Sequence, residues 1–145
     1  MKQWIIDQAQ VFNSYKKCFE TKSIYIENGY FKQIADNIDL LDFCDAQIIH
    51  AHGLWMVPGL VDIHMHIESS MTTPTRFSSQ GLKFGTTTVV ADPHEIANVF
   101  GKRGIEAFMD AKTVMDIYYG IPSSVPSTSP EYETTGGIIG ESEVL

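Results

Sequence analysis

The hydropathy pattern changes at Pro58-Gly59, and this change constrains the fold more than any other feature of the 145-residue chain. Before it, apolar and polar residues alternate with the period of two expected of half-buried strands. Ile24-Tyr25-Ile26-Glu27 and Tyr30-Phe31-Lys32-Gln33-Ile34 flank Asn28-Gly29. That dipeptide tolerates the positive φ angles of a type I′ turn, so these segments are expected to form a hairpin. Further strands are expected at Gln47 to His50 and, after Gly53, at Leu54 to Val57. Residues 1 to 57 therefore read as a small antiparallel β unit with no helix of useful length.

After Pro58-Gly59 the pattern becomes one of alternating strands and helices. Gly59 to His66 reads as a buried strand. Thr73 is placed to cap a helix with Pro74 at its first position, and Phe77, Gly81 and Phe84 share a face of that helix, which ends at Gly85. Thr86 to Ala91 is a β-branched strand followed by a turn at Asp92-Pro93, and Arg103 to Lys112 carries Ile105, Phe108 and Met109 at helical spacing. Asp116 to Ile121 supplies a third apolar strand, after which Pro122, Pro126 and Pro130, interspersed with serines and Thr128, mark a strand-end loop. Successive strand–helix units imply a parallel sheet, so residues 58 to 145 read as α/β.

Composition narrows the function. Acidic residues outnumber basic ones 18 to 10, giving a net charge of −8 and a pI near 4.9, so there is no basic footprint for a phosphate backbone. With 43% hydrophobic and 19% charged residues the chain has material for a core. No apolar run approaches the roughly 20 residues of a membrane span, and Asp7 interrupts the place where a signal peptide would be apolar. The expectation is a cytoplasmic protein that binds neither nucleic acid nor membrane. Cys18 and Cys44 lack any Cys-x-x-Cys spacing and read as reduced structural thiols.

His64-Met65-His66 falls at the C-terminal end of the first parallel strand. Strand alternation puts both imidazoles on one face, about 6.5 to 7 Å apart along the chain, from where both can reach one divalent ion or simply line a rim. His50-Ala51-His52 has the same spacing but precedes Pro58, where strand side chains alternate core with solvent, and it reads as structural. The difference is position, since ligands of α/β folds gather beyond the C-terminal ends of parallel strands. Asp92-Pro93-His94-Glu95 occupies that position after the second parallel strand. It reads either as a site-lining segment or as a helix start with carboxylates favoured by the helix dipole. Glu68, beside Ser69 and Ser70, is placed either to orient an imidazole from behind or to stand in solvent.

These residues carry a resemblance. Val57-Pro58-Gly59-Leu60-Val61-Asp62-Ile63-His64-Met65-His66 is similar to the start of the barrel in the amidohydrolase superfamily. The continuation through Ile67-Glu68-Ser69-Ser70-Met71, Gly85 to Asn98 and Pro122-Ser123-Ser124-Val125-Pro126 resembles the adenine deaminase family in particular. The likeness runs from about Gln10 to about Gly137. It implies an incomplete (β/α)8 TIM-like metallohydrolase barrel, represented by its first three strands and preceded by the small β domain. It further implies hydrolysis of adenine to hypoxanthine and ammonia by a water that a divalent ion has made acidic. His64 and His66 carry over as metal ligands, with manganese or iron(II) suggested and zinc possible. Asp92, His94 and Glu95 carry over as site-lining groups without a fixed role. The resemblance also implies a small purine base as partner and a homo-oligomeric full-length enzyme.

A (β/α)8 barrel takes about 250 residues and at least about 200, so the chain is expected to be an inactive N-terminal fragment. Glu143 matches the family's bridging carboxylate only if the third crossover helix is deleted. Read without a gap, Glu141 to Leu145 instead begins that helix. Three strands do not close a barrel, and Val89, Val90, Ile117 and Tyr119 are expected to stay poorly buried. The alternatives are another cyclic amidohydrolase, acting on a dihydropyrimidine or imidazolone ring, and a non-catalytic truncated product.

Overall fold

A computed structural model describes residues 2–129 and 131–144. Met1, Pro130 and Leu145, assigned above to the β unit, the strand-end loop and the last helix, lie outside the described residues. The chain divides into two compact units that part between Pro58 and Gly59.

The first unit is a five-stranded sheet of β1 (Gln3–Asn13), β2 (Cys18–Glu27), β3 (Tyr30–Ala35), β4 (Gln47–His50) and β5 (Trp55–Met56). Asn28 and Gly29 have φ of 52° and 84°, the left-handed pair that a type I′ turn requires, and they join β2 to β3 with Glu27 opposite Tyr30. The sheet is mixed, which corrects the expected antiparallel unit: β4 and β5 both run parallel to β1. The segment after β3, with its 3-10 turn at Leu40–Phe43, carries the chain across the sheet and returns it in the direction of β1. A parallel partner needs such a crossover. Ile5, Tyr25 and Ile38 form the core beneath this segment, packed against Ala35, Leu40, Phe43 and Ala46. A bulge between Ile6 and Ala9 puts Gln8 at a φ of 56°, and its backbone N–H donates to the buried Ser23 hydroxyl at 3.1 Å. Cys18 and Cys44 are both free and exposed.

The second unit holds three parallel strands in the order β6 (Leu60–Met65), β7 (Thr86–Ala91) and β8 (Asp116–Tyr119). Thr73 caps α1 (Pro74–Gly81) by accepting from the Arg76 N–H, and a 3-10 turn at Leu82–Phe84 closes on Gly85 with a φ of 90°. Two helices lie between β7 and β8: α2 (His94–Phe100) and α3 (Lys102–Met109). The first begins at His94, directly after the expected turn at Asp92-Pro93 and where the helix-start reading of Asp92-Pro93-His94-Glu95 puts it. Gly101, at a φ of 60°, separates the two. Ala97 of α2 and Ile105 of α3 pack with Val125 and Ile139, so the chain after β8 folds back over these helices. α4 (Glu141–Val144) is a single turn.

Two burial expectations are corrected. β6 is not a buried strand: among the described residues it pairs with β7 alone, and Leu60, Val61 and Ile63 are 58%, 59% and 78% exposed. Val89 is only 1% exposed because it lies on the middle strand, while the exposed apolar positions nearby are Val90 and Tyr118. Ile117 and Tyr119 are half-buried.

Candidate metal centre

Parallel pairing brings the site together. Met65 of β6 stands opposite Ala91 of β7, and the Asp92 N–H donates to the Met65 carbonyl at 2.8 Å. Asp92 therefore emerges from its strand beside the His64-Met65-His66 segment. The His64 and His66 rings stand 5.2 Å apart at 89°, and one ligand atom from each of His64, His66 and Asp92 lies within 4.8 Å of the others.

The donor set fits a divalent cation. Asp92 Oδ1 is buried and lacks a hydrogen-bond partner among the described residues. An unsatisfied buried polar atom costs about 1–3 kcal/mol, more when charged. A cation removes that cost, and two imidazoles with a carboxylate suit a first-row divalent ion. His64 is exposed, which leaves one side of the set open.

The remaining candidates divide between two neighbourhoods. Glu95 Oε2 lies 3.2 Å from His66 Nδ1, at ion-pair distance but outside hydrogen-bond geometry. Its Oε1 accepts from the Ser69 hydroxyl at 2.6 Å. Burial alone would raise the Glu95 carboxyl, but the Ser69 hydroxyl, a backbone N–H and His66 outweigh it and hold the group below its ordinary range. Glu68 faces no imidazole: its Oε1 accepts from the Ile96 N–H at 3.1 Å in the first turn of α2, and its Oε2 is buried without a partner. Capping of α2 thus comes from outside the helix, and its own N-cap residue, Pro93, makes no side-chain bond. The Asp-Pro-His-Glu segment is thus a helix start with Glu95 in the first turn, and it also brings Asp92 and Glu95 beside the histidines.

His94 points elsewhere. Its Nε2 lies 2.7 Å from the Ser127 hydroxyl, in the loop after β8. Tyr119 donates to the Phe108 carbonyl at 3.2 Å. Burial first, and the Glu68 charge second, push its hydroxyl up to about 12. Ser69 and Ser127 received no role from the sequence. Their only signal there was position, as hydroxyls in the loops that follow β6 and β8. In the first unit His50 Nδ1 and His52 Nε2 stand 3.5 and 3.7 Å from Asp7 Oδ2, and both rings are about 70% exposed.

Comparisons with known proteins bear on this arrangement. The profile of the amidohydrolase family matches residues 55–143. The chain is 51% identical over 139 residues to adenine deaminase 2 of Oenococcus oeni, covering 96% of this chain and 24% of that protein. It is 54% identical over 140 residues to adenine deaminase of Clostridium perfringens, with coverage of 97% and 24%. The chain thus spans about a quarter of the length of the curated relatives it matches. Among solved structures, phenylurea hydrolase B superposes with a TM-score of 0.53 at 14% identity, over 92% of this chain and 35% of that one, a likeness of fold alone.

Proposed function

This chain belongs to the amidohydrolase family, and from that premise we propose that it carries part of the active site of an enzyme that hydrolyses adenine to hypoxanthine and ammonia. The convergence of His64, His66 and Asp92 at the C-terminal ends of adjacent parallel strands carries the metallohydrolase part of this reading. The choice of adenine rests on relatives named adenine deaminase at 51% and 54% identity. In this proposal the parallel sheet of β6, β7 and β8 is the opening of a (β/α)8 barrel, supported by strand order and by the helices between strands.

His64, His66 and Asp92 hold a divalent ion, manganese or iron(II) before zinc. When bound, such an ion supplies the Lewis acidity that makes water a nucleophile at neutral pH. Glu95 and His94 line the strand ends, Glu95 against His66 and His94 against Ser127. No helix is long and apolar enough to cross a membrane among the described residues. A cytoplasmic, homo-oligomeric full-length enzyme acting in purine salvage completes the proposal on family likeness alone.

The test is a chimaera in which this chain replaces the matching quarter of the Clostridium perfringens enzyme. Metal-dependent hypoxanthine release that disappears in the His64→Ala/His66→Ala chimaera supports the proposal. A folded, metal-loaded chimaera that opens a dihydropyrimidine or imidazolone ring but spares adenine overturns it. The unassisted 145-residue chain is expected to release no ammonia above background, because it spans so small a share of its relatives.

A further inference from the structure

A neutral imidazole carries one N–H, and the group met by one ring nitrogen decides which nitrogen is left as a ligand. For His66 that group is Glu95, whose Oε2 lies 3.2 Å from Nδ1. Glu95 does not reach His66 by chance of a loose side chain. Its other oxygen accepts from the Ser69 hydroxyl at 2.6 Å. The turn that carries Ser69, residues Glu68–Ser70, is tied to the same helix by the bond from the Ile96 N–H to Glu68 Oε1 at 3.1 Å. Two bonds thus join the loop after β6 to the first turn of α2, and the free carboxylate oxygen left over faces His66. A small rotation of the ring brings Nδ1–H onto it.

We propose that Glu95 is a positioning residue for His66, accepting a hydrogen bond from Nδ1–H and so leaving Nε2 as the metal donor, with Ser69 clamping Glu95 in place. This rests on the reading of His66 as a metal ligand given above, and it assigns Glu95 a duty distinct from ligation. The distinction has a chemical consequence. A carboxamide oxygen still accepts from an imidazole N–H but is a poor metal ligand, so Glu95→Gln preserves a positioning role and destroys a ligating one.

The experiment uses the 145-residue chain labelled with 15N at histidine, with zinc as the probe ion. Long-range proton–nitrogen correlation at about pH 8 without metal reads the His66 tautomer, assigned by its loss in His66→Ala. Competition with a chromophoric chelator reads zinc affinity. The wild type and Glu95→Gln are expected to hold the Nδ1–H form. Glu95→Ala is expected to lose it and to bind zinc roughly 10–100-fold more weakly, with a smaller loss for Ser69→Ala. The Glu95 side chain is 48% exposed, so these changes leave the core untouched. An unchanged tautomer in Glu95→Ala overturns the proposal, as does an equal loss of zinc from the Gln and Ala variants. If the wild type binds no zinc while its tautomer depends on Glu95, the metal reading falls and the positioning role stands.

Discussion

Asp92 carries a buried oxygen, Oδ1, that meets no donor, so the folded chain bears a desolvation cost that a bound cation relieves. Asp92→Asn removes the charge and keeps the shape. Without metal it is expected to be as stable as the wild type, or more stable by up to about 1 kcal/mol, and to bind a divalent ion at least about tenfold more weakly. Urea denaturation in chelator and calorimetric metal titration measure the two effects, and a loss of metal-free stability would show that Asp92 is structural. Such residues differ in how well the sequence discloses them. His64, His66 and Asp92 stand out because their strands and strand ends are legible from β-branched runs and turn residues. The pairing of Glu95 with His66 is not, since it depends on Met65 standing opposite Ala91 and on where α2 begins. The expected partner, Glu68, turned instead to the Ile96 N–H, an orphan donor of the first helical turn.

At the scale of elements, the two helices between β7 and β8 depend on a close approach at Gly104. A Cβ there would lie 2.7 Å from the Ile96 carbonyl oxygen and 3.0 Å from its Cγ1. Gly104→Ala gains up to about 1 kcal/mol of helix propensity but forces α3 away from α2, at about 1–3 kcal/mol. A net loss of stability in urea is expected, and a stabilised variant would contradict this packing. β8 is tied to α3 by the bond from Tyr119 to the Phe108 carbonyl. With its folded value raised from 10.0 to about 12, the Tyr119 hydroxyl contributes stability that is fully present below pH 10 and lost as pH climbs toward 12. Tyr119→Phe should flatten the alkaline decline of the urea midpoint between those values. An unchanged slope would show that the phenol ionises freely. The start of α2 is legible as one of two readings of Asp92-Pro93-His94-Glu95, but its extent is not, because His94–Phe100 is only seven residues long and stops at Gly101, too short for helical periodicity to declare itself. The parallel pairing of β1 with β4 was equally hidden, because alternation fixes the faces of a strand and not its partner.

Across the whole molecule the chain repeats one spacing in two settings. His50-Ala51-His52 belongs to the mixed sheet of the first unit, with both rings exposed beside Asp7. His64-Met65-His66 ends the first strand of the parallel sheet, where a second strand end delivers Asp92. The exposed apolar face of β6 follows from the same topology, since that strand pairs on one side only among the described residues. Strand-end position, and not histidine spacing, is therefore the feature that sets the candidate metal centre apart. The most direct test is the metal content, by elemental analysis, of the purified chain and two double variants after equilibration with manganese or iron(II). About one ion per chain is expected in the wild type and in His50→Ala/His52→Ala, and essentially none in His64→Ala/His66→Ala. Equal loss from both double variants, or full retention in His64→Ala/His66→Ala, would contradict the account.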